Sequence, residues 1–200
     1  MNQPFIASFS GTAVEILETV AIAYALIRAG FVREALLASV LGLTLAFVAG
    51  VLLWPLHALF PVFWLRLATG VVLTYMGIQW TQKSVRRVIA HKRPGWVDNP
   101  LGALAVEPRS ADGFSTLVFV AMTKSALLEG FEVLIVAYPI AAATGAWGQV
   151  SVGVTAGVAS VLLVALALHG QLKKVPEVYV KLATGLLLTA LGIMFLAETL

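Results

Sequence analysis

Six apolar stretches run along the chain, separated by short polar breaks and one long one. A hydrocarbon core of ~30 Å needs roughly 20 helical residues to cross it. Residues 5–27, 36–56, 61–82, 115–141, 150–169 and 176–197 each meet that length. The pattern predicts an all-α integral membrane fold of six transmembrane helices. The long break carries Pro94-Gly95 and Asp98-Asn99-Pro100 and reads as a linker, dividing the chain into residues 1–83, 84–113 and 114–200.

The two flanking parts repeat one another. PVFWLRLATGVVLTYMGIQW, from Pro61, and PEVYVKLATGLLLTALGIMF, from Pro176, agree at nine of twenty positions. Earlier in each half, Glu15-Ile-Leu-Glu18 followed by Ala23-Tyr24 matches Glu129-Gly-Phe-Glu132 followed by Ala137-Tyr138. The two matches are offset by 115 and 114 residues. Three spans per copy is an odd number, so the second copy enters the membrane from the opposite side. The expectation is an inverted repeat, an arrangement that places a transporter's substrate site near the midplane where the copies meet.

Composition agrees with the bilayer: 12% of residues are charged, against about 25% in soluble domains. The absence of cysteine excludes disulfides and thiolate metal sites. The first apolar stretch has no basic residue before it and contains two glutamates, so it reads as a membrane helix rather than a cleavable signal. The formal charge of +3 points to topology and not to nucleic acid, because basic residues gather at span ends. Arg28 and Arg33 fall in the first loop. Lys83, Arg86, Arg87, Lys92, Arg93 and Arg109 fall in the third, and Lys173, Lys174 and Lys181 in the fifth. Arg66 alone is near the other side. The expectation is a multi-pass protein of the cell (inner) membrane with both termini extracytoplasmic, its third-loop cluster against anionic lipid.

Of ten acidic residues, Glu34, Asp98, Glu107, Asp112, Glu177 and Glu198 fall at helix ends or in loops. Glu15, Glu18, Glu129 and Glu132 fall near the middle of the first and fourth spans. At bilayer depth each costs a few kcal/mol, so four cost on the order of 10 kcal/mol unless a partner offsets it. Carboxylates three residues apart lie on one side of a helix. An inverted repeat brings both pairs toward one point, where hard oxygen ligands favour hard cations.

Glu129-Gly-Phe-Glu132 resembles the Arg-Glu-Gly-Leu-Glu signature of the iron permeases, the iron/lead transporter family, as in a divergent member. That family carries E-x-x-E motifs in its first and fourth helices. The resemblance implies that Glu15, Glu18, Glu129 and Glu132 are the metal-binding residues of a transporter. The family's arginine positions hold Val14 and Leu128 here, and its glycine in the first copy is Ile16.

The function expected is therefore transport of a hard metal cation as substrate, its identity open, with protons as a candidate coupling ion. The lipid bilayer and the metal ion are the expected partners. The alternatives are a non-transporting membrane subunit or assembly factor with structural glutamates, and a transporter of a small organic cation, for which Phe131 is the candidate aromatic. No Ser-His pairing or nucleotide-binding loop argues for an enzyme. Lys124 reads either as an internal cation beside the glutamates or as a side chain snorkelling to the interface. Gly70, Thr74 and Gly77, with Gly185, Thr189 and Gly192, form small-residue faces suited to close packing. Tyr24 and Tyr138 line a path or pack between helices, and His57 and His169 lie at membrane boundaries.

Overall fold

The computed structural model describes residues 3–91, 113–168 and 177–200. Among them are six long helices: α1 (Gln3–Arg28), α2 (Val32–Leu53), α3 (Val62–Ile89), α4 (Thr116–Thr144), α5 (Trp147–Leu168) and α6 (Glu177–Thr199). All six are long and apolar enough to cross a membrane. Pro55 has no N–H with which to continue the α ladder, and the chain after α2 tightens into a 3₁₀ turn over Trp54–Leu59. Helix α3 runs past the expected span end, so Lys83, Arg86 and Arg87 sit on helix rather than in a loop. Most of the segment read as a linker, residues 92–112, and His169, Lys173 and Lys174 lie outside the described residues.

Helices α1 and α4 are the inner pair, with 61% and 50% of their apolar windows buried against 17–22% for the other four. The outer helices turn large apolar side chains outward, among them Leu37, Val40, Phe47 and Leu52 on α2 and Leu163 and Leu166 on α5. An apolar surface of this extent suits lipid tails and is foreign to a water-facing monomer.

Small residues face inward, because helices in lipid associate by close packing and not by hydrophobic exclusion. Helix α3 lies along α6, α1 along α5 and α2 along α4, while α1 crosses α4. Lesser contacts join α3 to α4 and α1 to α6. Exchanging α1, α2 and α3 with α4, α5 and α6 leaves this set of pairings unchanged.

The α3–α6 seam is built from the two Leu-Ala-Thr-Gly segments packing on each other. A Cβ placed on Gly77 would stand 2.7 Å from Gly185 O, and one on Gly192 would stand 2.9 Å from Gly70 O. Thr74 and Thr189 lie in the same seam, against Gly192 and Gly77. Packing is therefore what these residues do.

Two buried apolar clusters bracket the middle of the bundle. One gathers Ala7, Leu73, Val136, Ile140 and Leu188; the other gathers Ile22, Leu26, Phe31, Met122 and Ala126. Along both inner helices the glutamates fall between them.

Candidate functional site

Glu15 lies midway along α1 and is wholly buried. Glu129 and Glu132 lie midway along α4, both partly buried. Gly130 helps set this depth: a Cβ there would stand 2.5 Å from Ala46 Cβ, so its absence lets α2 close on α4 beside Glu129. Where α1 crosses α4, Glu15, Glu129 and Glu132 each offer a carboxylate oxygen, all within 4.8 Å of one another. Hard cations bind oxygen at about 2.0–2.6 Å, so ligands across one ion stand ~4–5 Å apart. The spacing fits a single shared ion.

No N–H or hydroxyl among the described residues donates to either carboxylate oxygen of Glu15. Its backbone carbonyl accepts from Thr19 Oγ1 at 3.3 Å. A buried carboxylate without such donors is costly, and what faces this one is two more carboxylates and the ammonium of a lysine.

That lysine is Lys181. Its Nζ donates to Glu18 Oε1 at 2.7 Å and stands 3.4 Å from Glu15 Oε1. The ammonium also lies 5.0 Å from the centre of the Trp80 ring, a cation–π distance. The side chains of Lys181 and Glu18 are only 12% and 14% exposed.

Lys181 is not a fifth-loop topology residue; it lies within α6, and its long side chain reaches inward to α1. The signal for it was its place inside the sixth span, matched to Arg66 in the other copy. Trp80, buried on α3, was also missed, and its ring meets the Lys181 ammonium. The four glutamates thus divide: Glu15, Glu129 and Glu132 form one group, while Glu18 is joined to Glu15 through Lys181.

The remaining candidates lie elsewhere. Lys124 is exposed on the outside of the bundle, the position expected of a snorkelling side chain. Tyr138 packs between helices, its hydroxyl donating to Leu53 O at 2.8 Å. His57 lies edge-on to Trp54 and tilted against Trp147, with ring centres 6.1 and 5.0 Å away. Tyr24 packs against the Ile16, Leu17 and Val161 cluster.

The six apolar helices and their lipid-suited exterior define a multi-pass membrane protein with an ionisable cluster inside its bundle. No protein-family model matches the chain, and no curated protein or solved structure matches it.

Proposed function

We propose that this protein is a membrane transporter of a hard metal cation, bound at mid-membrane by Glu15, Glu18, Glu129 and Glu132. One observation carries the reading. A wholly buried carboxylate that accepts from no N–H or hydroxyl among the described residues faces two others at the spacing of a single ion's ligands. A cation entering there offsets the cost of burying the charges.

Supporting it is the resemblance of the Glu-x-x-Glu segments to the iron permeases. The arginine positions of that signature hold Val14 and Leu128, and positive charge comes instead from Lys181. Two inverted three-helix repeats are part of the proposal. The duplicated segments, the three spans per copy and the exchangeable helix pairings favour them. So is a place in the cell (inner) membrane with both termini extracytoplasmic, which rests on the distribution of Lys and Arg.

The test is isothermal titration of the purified protein with manganese(II), calcium(II), a trivalent lanthanide and methylammonium. At least one metal ion should bind, and Glu15→Gln or Glu129→Gln should weaken it on the order of tenfold or more. Loss of a direct ligand should cost at least what second-shell changes do. Protons and metal compete for the same oxygens, so apparent affinity should fall as pH is lowered. Undiminished binding in all four Glu→Gln variants would overturn the reading.

The Lys181–Glu18 pair favours a second reading, a non-transporting subunit whose glutamates are structural. Wild-type folding of all four variants, with no metal binding by any form of the protein, would support it.

A further inference from the structure

Glu15 is shared between two arrangements. On one side its Oε1 is 3.4 Å from the Lys181 ammonium, which is itself 2.7 Å from Glu18 Oε1. On the other, an oxygen of the same carboxylate lies within 4.8 Å of ligand oxygens from Glu129 and Glu132. A cation drawn to Glu15 therefore meets a resident positive charge already on two of the four carboxylates. Like charges at this range, in a region largely shielded from water, repel strongly.

We propose that Lys181 is a tethered counter-ion of the cation site, which holds the Glu15–Glu18 half when no cation is bound and is displaced when one enters. The inference rests on reading the glutamates as a cation site. It makes Lys181 an affinity- and specificity-setting residue. A substrate must carry enough charge, or make enough oxygen contacts, to outcompete an ammonium already in place. Hard di- and trivalent ions meet that demand better than monovalent ones.

Trp80 makes displacement feasible within the bundle. Its ring already lies beneath the ammonium, 5.0 Å from centroid to Nζ, so the lysine has a second seat when the carboxylates turn to a metal. The device is confined to one half. Arg66, which matches Lys181 in the other copy, is exposed.

The experiment is titration of manganese(II), calcium(II) and a trivalent lanthanide into wild type, Lys181→Met, Lys181→Arg, Glu18→Gln, the double variant Glu18→Gln/Lys181→Met, Glu15→Gln and Glu129→Gln. Removing the competitor should tighten binding by Lys181→Met about tenfold or more, whereas Lys181→Arg keeps the charge and shows no gain. The double variant removes both members of the Lys181–Glu18 pair, so Glu18 is not left as an unpaired buried charge, and should bind more tightly than Glu18→Gln. A purely structural lysine gives the opposite sign, because its loss loosens the site.

Binding by folded Lys181→Met no tighter than wild type, with Glu129→Gln still weakened, overturns the role of Lys181 and leaves the cation site standing. The double variant binding no tighter than Glu18→Gln does the same. Failure of both neutral variants to fold would make Lys181 a structural support, and the proposal falls. Indifference of metal binding to Glu15→Gln and Glu129→Gln removes the reading beneath it.

Discussion

A carboxylate at a helix end can be held by a backbone N–H, and Glu34 shows how. It is buried in the first turn of α2, and its Oε1 accepts the backbone N–H of Ser115 at 2.8 Å. Ser115 is the N-cap of α4, where unpaired N–H groups and the helix dipole both favour negative charge. Glu34→Ala should lower stability by about 1–2 kcal/mol, the usual cost of losing a cap. Glu34→Gln should lose less, because it keeps an acceptor; thermal unfolding in detergent would show both. Among the described residues, Glu15 has no such N–H and meets only the Lys181 ammonium and other carboxylates, a contrast that fits the cation-binding role proposed for it. The sequence exposed Glu15, Glu18, Glu129 and Glu132 because ionisable groups in the middle of an apolar run have no ordinary reason to be there. It hid Lys181 because a lysine near a span end looks like a topology signal, and only side-chain reach decides which way it turns. Lys124, nearer mid-span, has the sequence position of an internal cation but is exposed.

Helix existence follows from apolar length alone, so all six spans were legible to within a few residues at most ends. Helix α3 was underestimated, because its last turns carry Lys83, Arg86 and Arg87 and only hydrogen bonding continues there. Which element meets which was less legible. Offsets of four and seven among Gly70, Thr74 and Gly77, repeated at Gly185, Thr189 and Gly192, mark a packing face without naming its partner. Backbone approach in the α3–α6 seam leaves no room for a methyl group. Gly77→Ala or Gly192→Ala should destabilise by about 1–3 kcal/mol, as overpacking does, and reduce the yield of folded protein. Gly148→Ala on α5 is the control: a Cβ there meets nothing within 4 Å, and the change should be neutral or stabilising by up to ~1 kcal/mol. Equal yields for all three would show that the seam opens at no cost.

For the molecule as a whole, orientation is the first quantity to measure. A reporter fused after Leu200 should lie outside the cytoplasm, and one inserted between residues 92 and 109 should lie within it. A C-terminus on the same side as that insertion would refute six crossings. The pairings α1 with α5, α2 with α4 and α3 with α6 also bear on how the protein is made. The halves are interlaced, and most of what each buries is supplied by the other. During synthesis, α1–α3 enter the bilayer before α4–α6 exist. At ~5–20 residues per second, the remaining chain takes on the order of ten seconds to follow. Until then Gly42, Gly70 and Gly77 face lipid, or whatever insertion factor shelters them. Severing the gene between the codons for Ile89 and Phe114 should therefore give two fragments that accumulate when co-expressed and are degraded when expressed singly. Pulse-chase labelling would follow both, and a first fragment that persisted alone would mean that the halves mature independently.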